Sequence, residues 1–555
     1  MLLRSGGLPV CVPLESEVRV VRELVSRGYN AEREAVTLLS GAPDPQRAIE
    51  RTVEAVPEDA PTVTADHVRS AVDDGAGVSD GTSVSDGAPT SDNTQTSSGG
   101  PSETKGVNTP EEPGANTPAD PSPGSPGEPG TRTASESDAR THDEPGTRTP
   151  SDGDAREIAI AGDITGESTG TGEYSDFVSV FRDRYERLAG QLRGRVNHRP
   201  TDTLERMSGG QEAAIVGMVN DIRSTANGHW LVELEDTNGT FPTLITKNRE
   251  LAGVVDELVL DEVVAIEGTL ADDSGILFAD SIHFPDVPRT YSPSTADRHV
   301  QAALISDVHV GSQEFVGEAW DRFTEWLHTA EADPIEYLLI AGDMVEGVGV
   351  YPGQDEELDI VDIYDQYEAF SEHLKQVPGD IEVVMIPGNH DAVRLAEPQP
   401  AFDEELRSIM SAHDATITGN PSTVTIEGVD ILMYHGVSLD EVIAELPAAK
   451  ASYDEPHRAM YQLLKKRHVA PQYGGKLRVA PEDHDYLSID EVPDIFHTGH
   501  VHKLGYGTYH NVLAVNSGCW QAQTDFQKRN NIQPDFGLAA IVDLDTLDVT
   551  IRKFV

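Results

Sequence analysis

Residues 300–309 read Val-Gln-Ala-Ala-Leu-Ile-Ser-Asp-Val-His, an apolar run that ends on Asp307 and His309. The run predicts a buried strand that delivers two metal-ligand side chains at its carboxyl end. A single Asp-x-His pair is a weak signal, because such pairs also arise by chance in loops. The interpretation therefore depends on whether other predicted strands end in the same way.

Four further predicted strands also run into oxygen or nitrogen donors. Ligands in open α/β sheets gather outside the carboxyl ends of the strands. Five such ends would therefore meet in one crevice and form a cage of carboxylate, imidazole and amide groups. The four stretches are Tyr337-Leu-Leu-Ile-Ala-Gly-Asp343, Val383-Val-Met-Ile-Pro-Gly-Asn389-His390-Asp391, Ile431-Leu-Met-Tyr-His435-Gly436 and Ile495-Phe-His-Thr-Gly499-His500-Val-His502.

In this order the motifs Asp-x-His, Gly-Asp-x-x-x-Gly, Gly-Asn-His-Asp, His-Gly and Gly-His-x-His resemble the signature of the calcineurin-like metallophosphoesterases. The resemblance covers roughly residues 299–555 and implies an α/β sandwich there. Within it, the segment from Tyr473-Gly-Gly to Pro493-Asp-Ile-Phe-His-Thr-Gly-His-Val-His is similar to the family of small, exonuclease subunits of archaeal family-D DNA polymerases.

The resemblance implies a centre of two divalent metal ions bridged by one carboxylate. Two metals about 3.5–4 Å apart activate a nucleophile and neutralise phosphate charge, as phosphodiester hydrolysis requires. Mixed imidazole and carboxylate ligation suits Mn²⁺, Fe or Zn²⁺ better than Mg²⁺ alone, and Mn²⁺ is expected here. The resemblance assigns Asp307, His309, Asp343 and His502 to one ion and Asp343, Asn389, His435 and His500 to the other.

The same resemblance gives two residues catalytic roles. His390 resembles the family's histidine that contacts the phosphate and protonates the leaving oxygen. Glu346, three residues after Asp343, corresponds to the acidic residue that orients this histidine in related phosphatases. His497 is predicted to be either structural or a support behind a ligand residue, because an individual histidine is more often a surface or core residue than a ligand.

Residues 456–481 contain no Asp or Glu, in a chain with 96 acidic and 41 basic residues. A basic strip beside the metal centre would hold a nucleic-acid backbone, and Tyr461 and Tyr473 could stack bases. The alternative is a basic face that docks an acidic partner subunit. The predicted DNA-binding residues are Lys465, Lys466, Arg467, Lys476 and Arg478.

The net charge of −55 would ordinarily argue against a nucleic-acid partner. Acidic residues are spread through every segment, however, as in proteins of salt-in halophiles, so a haloarchaeal protein is expected. At molar salt the Debye length is only about 3 Å, and local patches of charge then decide contacts.

Since no apolar run approaches the roughly 20 residues of a membrane span, a soluble cytoplasmic protein without a membrane partner is expected. Cys11 and Cys519 have no metal-site spacing and are predicted to be free thiols.

The length of 555 residues predicts about three or four domains. The N-terminal one is either a docking module or a plain helical bundle. Five short strands predict the OB-fold, for which a scaffold or docking role is favoured over base stacking by Trp230, Phe241 or Phe278. The predicted segments are a small helical domain (1–75), a disordered acidic low-complexity linker (76–172), a helical connector (173–208), an OB-fold β-barrel (209–290) and the phosphoesterase domain (299–555).

The linker contains a duplicated unit. Gly127-Glu-Pro-Gly-Thr-Arg-Thr-Ala-Ser-Glu-Ser-Asp-Ala-Arg140 recurs sixteen residues later as Asp143-Glu-Pro-Gly-Thr-Arg-Thr-Pro-Ser-Asp-Gly-Asp-Ala-Arg156. Sparse apolar residues and a Gly- and Pro-rich composition cannot bury enough surface to fold. The duplication is therefore interpreted as tandem growth of a solvated tether rather than as a binding repeat.

Together these features predict a 3′–5′ exonuclease that proofreads as the accessory subunit of a two-subunit replicative DNA polymerase. A separate large subunit would carry synthesis, and DNA would be the substrate. One alternative is a free-standing repair nuclease or phosphatase, against which the OB-like domain argues. The other is a non-enzymatic scaffold similar to eukaryotic polymerase B-subunits, against which the filled ligand positions argue.

Overall fold

A computed structural model describes residues 174–272, 275–350, 354–411, 414–529 and 532–555, together with 156–168, Gly172, Thr147, Arg148 and parts of residues 20–69. The chain forms two compact units. The smaller comprises Ser5–Gly127, and the larger contains Glu128–Val555 with Met1–Arg4. Most of the predicted linker lies outside the described residues.

The described residues of the smaller unit contain a small helical core, and the domain predicted for residues 1–75 as a whole stays a prediction. The helices Arg33–Ser40 and Pro45–Ala55 bury Leu39 and Ile49 in one apolar cluster. A short parallel pair, Asn30–Ala31 with Thr62–Val63, was not predicted. Two-residue strands are too short to show an alternating apolar pattern.

The larger unit contains two mixed six-stranded sheets. In the first, parallel neighbours carry three of the metal-ligand motifs, and in the second a parallel pair carries the other two. The strand order of the first sheet is Thr416–Ile417, Glu382–Ile386, Ile335–Ala341, Gln301–Ile305, Leu538–Asp543 and Asp548–Lys553. The order of the second is Leu504–Tyr509, Val512–Ser517, Ile495–Thr498, Val429–Met433, Ser422–Ile426 and Ile158–Ala161.

The two sheets pack face to face as a layered α/β sandwich with helices outside. Ala302 and Leu304 lie in the core between the sheets, whereas Ala303 and Ile305 pack against the outer helices. This alternation is the two-residue period of a strand buried on both faces. Among the described helices, none is both long enough and apolar enough to cross a membrane. The outer helices are Gly317–Leu327, Ile363–Leu374 and Glu404–Ile409 on the first sheet and Leu439–Glu445 and Pro456–Lys466 on the second.

A closed five-stranded barrel precedes the sandwich, with the number of strands that the sequence predicts. Phe241 lies in its core, whereas Phe278 is exposed. Two single-turn helices, Thr201–Leu204 and Ala252–Val255, border it. The strands, in order around the barrel, are Glu212–Ser224, Trp230–Asp236, Gly239–Ile245, Leu277–His283 and Val263–Leu270.

The predicted connector is the helix Tyr174–Arg193, which contacts both the barrel and the sandwich. Its Leu188 packs in one cluster with Val263 of the barrel. On the sandwich side, Arg184 Nε donates to Asp485 Oδ2 at 2.7 Å, and both side chains are buried. Breaking a buried ion pair leaves a charge without a partner, so this contact fixes the helix in place.

Part of the predicted linker packs against the sandwich. Arg148 is buried and pairs with Asp380, and Ile158–Ala161 forms an antiparallel edge strand beside Ser422–Ile426. The prediction of disorder throughout residues 76–172 is therefore wrong at Thr147, Arg148 and residues 156–168. The anchor consists of single arginines and one four-residue strand, which leave little apolar pattern in a low-complexity sequence.

Candidate metal centre

Strand ends from both sheets place oxygen and nitrogen donors in one cleft. Gly342 and Gly388 make room for them: a β-carbon at Gly388 would lie 2.2 Å from Asp343 Oδ1, and one at Gly342 would lie 2.5 Å from His435 Nδ1. Only glycine permits such close approach of backbone to ligand. Asp307 and His309 follow Gln301–Ile305, Asp343 follows Ile335–Ala341, Asn389 follows Glu382–Ile386, His435 follows Val429–Met433, and His500 and His502 follow Ile495–Thr498.

The first group of donors consists of Asp307, His309 and His502, all buried. His309 Nε2 lies 3.0 Å from His502 Nε2, and His502 Nε2 lies 3.4 Å from Asp307 Oδ1. His309 Nδ1 lies 2.9 Å from Glu346 Oε2 on the other side of the ring. The Nε2 atom of His309 is thus directed toward the other ligands.

The second group is built on Asp343. Its Oδ2 lies 3.2 Å from His435 Nε2 and 3.7 Å from His309 Nε2, so that this carboxylate faces both groups. Asn389 Oδ1 lies 3.0 Å from His435 Nε2. The structure therefore brings these residues together in the arrangement that a bridging aspartate requires.

His500 lies at the edge of the second group. Its ring centroid is 5.2 Å from that of His435, its backbone N–H donates to Asp307, and its Nε2 lies 3.7 Å from Asp440 Oδ2. His497 is not itself one of these donors. It is buried, with Nε2 3.1 Å from Ser517 Oγ, and Ser517 donates to Ser306, which in turn donates to Asp307. This histidine therefore supports a predicted ligand through two serines.

Most of the ligand residues have a left-handed backbone. A β-carbon disfavours this conformation, although Asp and His adopt it more often than most residues do. Strained residues of this kind persist where their surroundings fix them, and they cluster at active sites. The values of φ are 51° at Asp307, 55° at His309, 53° at Asp343, 71° at His500 and 54° at His502.

The electrostatics of the cleft suit cations. Burial would raise the pKa of Asp343, but His435 and neighbouring imidazoles outweigh it and hold that pKa well below its usual range. Burial would lower the pKa of His435, but Asp343 raises it to about 10. Positive charge is thus favoured beside Asp343. Carboxylate, amide and imidazole donors around one space form a set that fits two ions such as Mn²⁺, Fe or Zn²⁺.

His390 lies at the mouth of the cleft, with 19% of its side chain exposed. Its backbone N–H donates to Asp343 Oδ1 at 2.8 Å, and its Nδ1 lies 2.8 Å from the carbonyl oxygen of Glu346. An acceptor at that distance makes Nδ1 the protonated nitrogen of the neutral ring and leaves Nε2 available.

The side chain of Glu346 orients His309 and not, as was predicted from the resemblance, His390. Its carboxylate lies 2.9 Å from His309 but 3.8 Å from His390, so the backbone carbonyl orients His390 and the side chain orients His309. Burial would raise the pKa of Glu346, yet His309 and His390 lower it to about 2. Glu346 is therefore an anionic support of a ligand histidine.

Three supporting side chains were missed by sequence reasoning. Gln527 Nε2 lies 2.9 Å from His502 Nδ1, Gln521 Nε2 donates to Glu346 Oε2 at 2.7 Å, and Asp391 Oδ2 accepts from the N–H of Gly388 at 2.8 Å. Neutral amides far from the motifs carry no sequence signal. Asp391 is different, because it ends the Gly-Asn-His-Asp motif, and its place there could have identified it as a residue that supports the backbone of the motif.

The predicted DNA-binding strip does not form one exposed surface. Lys465 Nζ lies 2.6 Å from Glu257 Oε2, and Lys466 is buried with Nζ 3.0 Å from Glu262 Oε2. Arg467 is also buried and donates to backbone carbonyls. The prediction that these three residues bind DNA is therefore wrong. The partners of Lys465 and Lys466 are carboxylates some two hundred residues away in sequence, and the partners of Arg467 are backbone carbonyls; an acid-free window can reveal neither.

The other two basic residues of the predicted strip, Lys476 and Arg478, are exposed. The side chain of Lys476 is 73% exposed, and its Nζ lies 3.8 Å from Asp440 Oδ2. Asp440 also accepts from the exposed Tyr453 at 2.9 Å and lies beside His500. A basic and an aromatic group thus border the cleft on the Asp440 side.

Residues 302–504 match the family model for the B subunits of DNA polymerases alpha and epsilon. The chain is also 64% identical over 543 residues to the DNA polymerase II small subunit of Halobacterium salinarum, an alignment that covers 98% of this chain and 100% of that protein. The chain belongs to the DNA polymerase II small subunits. Another small subunit, from Archaeoglobus fulgidus, is 44% identical, with 69% of this chain and 78% of that protein covered.

Membership of the DNA polymerase II small subunits confirms the family resemblance seen in the sequence. Among solved structures, an archaeal phosphodiesterase is 12% identical with a TM-score of 0.25, covering 46% of this chain and 99% of that one. That likeness is too small to bear on function. The activity of this small subunit must therefore be argued from its cleft.

Proposed function

We propose that this chain is a metal-dependent 3′–5′ exonuclease and the accessory subunit of a two-subunit replicative polymerase, whose large subunit carries out synthesis. The observation that carries the proposal is the position of Asp343, which faces His309 and His435 at 3.7 and 3.2 Å and so joins two groups of donors. Buried carboxylates are costly unless a cation or hydrogen bonds compensate them. A purely structural subunit would gain nothing from maintaining this cleft.

The two ions, proposed to be Mn²⁺, would activate water and neutralise the phosphate when bound. One ion would be held by Asp307, His309, Asp343 and His502, and the other by Asp343, Asn389, His435 and His500. Two side chains outside the donor groups would keep these donors in position before substrate binds. Glu346 contacts the Nδ1 of His309, and Gln527 contacts the Nδ1 of His502. Such supports set the orientation and basicity of ligand imidazoles.

In the proposed reaction, a water oxygen bonds to phosphorus and the bond from phosphorus to the 3′ oxygen of the penultimate nucleotide breaks. In the doubly protonated form of His390, Nε2 gives its proton to that oxygen, which leaves the neutral ring with its remaining proton on Nδ1, donated to the Glu346 carbonyl. The products are a nucleoside 5′-monophosphate and a strand one residue shorter with a 3′-hydroxyl. The proton lost by the attacking water passes to solvent, and His390 is reprotonated from solvent.

The DNA strand is proposed to approach along the Asp440 side of the cleft. Lys476 and Arg478 would contact backbone phosphates, since they are exposed, whereas Lys465, Lys466 and Arg467 are engaged by other groups of the chain. Tyr453 is exposed and its hydroxyl is fixed by Asp440, so its ring could stack on a terminal base.

The test uses the full chain, purified with its large subunit in high salt, on a 5′-labelled primer with a mismatched 3′ end and Mn²⁺. The primer should shorten one nucleotide at a time from the 3′ end, and Asp343→Asn should abolish shortening without releasing the large subunit. Undiminished cleavage by Asp343→Asn, or shortening from the 5′ end, would refute the exonuclease. A stable complex that shows no cleavage with any divalent ion would instead favour the non-enzymatic scaffold.

A further inference from the structure

Far from the ligand-bearing strand ends, the sandwich contains a pocket that binds one guanidinium. Nε of Arg148 donates to both carboxylate oxygens of Asp380 at 3.1 and 3.0 Å, Nη1 donates to the carbonyl of Ala332 at 2.7 Å, and Nη2 to that of Ile335 at 2.7 Å. Only 7% of Arg148 is exposed. Acceptors in three directions match the planar donors of arginine and not the single ammonium of lysine.

The same surface holds a second arginine. Arg156 Nη1 donates to the carbonyl of Asp380 at 2.8 Å, and its Nε lies 2.8 Å from Glu336 Oε2. On the other side of the pocket, Thr147 forms an antiparallel bridge with Thr329. We call this surface, formed by Thr329, Ala332, Ile335, Glu336 and Asp380, the arginine dock.

The two docked arginines belong to the second copy of the sequence repeat. They stand eight residues apart, and the first copy has Arg132 and Arg140 at the same spacing, sixteen residues earlier. Thr131 likewise corresponds to Thr147. Between the arginines the copies differ only by Ala for Pro, Glu for Asp and Ser for Gly, at 134, 136 and 137 against 150, 152 and 153. Every side chain whose contacts define the dock is therefore duplicated.

We propose that the arginine dock accepts either copy of the repeat, so that the chain preceding it can be held in two registers sixteen residues apart. The repeat is then a binding element and not only tether growth. A shift of one unit changes the contour length of the free tether by up to about 55 Å. The proposal does not depend on nuclease activity.

The second copy should be the major occupant. Its Arg156 lies two residues before the edge strand that starts at Ile158, whereas Arg140 lies eighteen residues before it. Closing the longer loop lowers the population of the first-copy register about thirty-fold, if the contacts themselves are equal. Loss of the second copy's arginines should reverse this preference.

Disulfide trapping tests the proposal in the full chain with Cys11→Ser. Partners in an antiparallel bridge have Cα atoms about 4.5–5.5 Å apart, within reach of a disulfide. Thr147→Cys with Thr329→Cys reports the second copy, and Thr131→Cys with Thr329→Cys reports the first. A matched control is Ala115→Cys with Thr329→Cys. Ala115 belongs to Glu112-Pro-Gly-Ala-Asn-Thr-Pro118, a third related unit in which Asn116 replaces the arginine.

Peptide mapping under non-reducing conditions should show nearly complete trapping of Thr147→Cys and a small yield for Thr131→Cys. Arg148→Ala with Arg156→Ala should raise the Thr131→Cys yield at least several-fold, and adding Arg132→Ala and Arg140→Ala should return it to the Ala115→Cys level. A Thr131→Cys yield that never exceeds the Ala115→Cys control would overturn the proposal.

Deleting residues 141–156 gives a second test that removes no dock contact. The deletion joins Arg140 to Glu157, as Arg156 is joined in the full chain, and places the first copy in the register of the second. Thr131→Cys should then be trapped as completely as Thr147→Cys is in the full chain. Failure of this variant, with the sandwich folded, would show that only the second copy fits.

Discussion

Lys466 Nζ lies 3.0 Å from Glu262 Oε2, and this ion pair is buried between the helix Pro456–Lys466 and the barrel. Burial lowers the pKa of Lys466 and raises that of Glu262, so each group depends on the other to remain charged. Residues predicted to hold DNA instead join two domains of the larger unit.

Lys466→Ala should destabilise the fold strongly, because it leaves the buried carboxylate of Glu262 without its cation and with only the N–H of Val259 as a donor. Removing one member of a buried pair costs about 3–5 kcal/mol. Urea unfolding followed by circular dichroism would measure this loss in the free energy of unfolding. Lys476→Ala is the matched control and should change stability by less than about 0.5 kcal/mol, since its ammonium is solvated. Similar losses in the two variants would contradict the buried pairing.

Gly388→Ala should empty the proposed metal centre while leaving the sandwich folded. The added methyl would lie 2.2 Å from Asp343 Oδ1 and would displace the shared carboxylate. Metal content of the purified protein, measured by mass spectrometry, should fall to background. Gly379→Ala is the control, because a β-carbon there meets nothing within 4 Å. Full metal content in Gly388→Ala would mean that Asp343 is not a ligand.

His390→Gln should slow DNA cleavage by about 10²–10⁴-fold, the usual contribution of a positioned proton donor, with metal content unchanged. His328→Gln serves as the comparison, because that histidine is exposed and its ring contacts the carbonyl of Gln376 and none of the donors in the cleft. Single-turnover rates at saturating DNA would separate the two variants. Loss of metal in His390→Gln would assign it a ligand role instead.

Stability should depend on pH through Glu397. Burial raises the pKa of this carboxyl to about 8, and its Oε2 accepts from the hydroxyl of Tyr434 at 3.0 Å. A raised carboxyl pKa means that the folded chain binds the proton more tightly than the unfolded chain. The stabilisation is therefore complete below about pH 4.5 and is lost as pH rises to about 8.

Glu397→Gln isolates this effect from the many other carboxylates of the chain. Relative to Glu397→Gln, the native protein should lose roughly 1.4 kcal/mol of unfolding free energy per pH unit within that window. Unfolding midpoints at pH 5, 6, 7 and 8 provide the slope. Parallel pH profiles for the two proteins would show that Glu397 does not carry the proton.

Deleting residues 76–145 should leave the melting temperature of the sandwich unchanged, whereas extending the deletion to residue 161 should lower it. The longer deletion removes the contacts of Arg148 with Asp380 and the edge strand Ile158–Ala161. Differential scanning calorimetry of the two variants compares them directly. Equal melting temperatures would mean that this anchor contributes little to stability.

The strand ends could be predicted because each ligand adjoins its own apolar run, so that local sequence carries both the strand and the donor. Asp307 after Gln301–Ile305 is an example. Lys466 was misread because its charge is visible in the sequence but its partner Glu262 lies in another domain. Gln527 was missed because a neutral amide becomes a support only when folding places it 2.9 Å from His502.

Under the proposed function, the left-handed backbone at the predicted ligand residues lowers folding stability in exchange for activity. Glycine at any one of these positions would relieve the local steric penalty, which for a residue with a β-carbon is about 1–2 kcal/mol and less for Asp or His. A descendant chain kept only for assembly would therefore gain stability as it lost its ligands one by one. Selection for stability, and not only neutral drift, would then favour the loss of these ligand residues. Asp307 and His309 would be early replacements, since both have positive φ within a single turn.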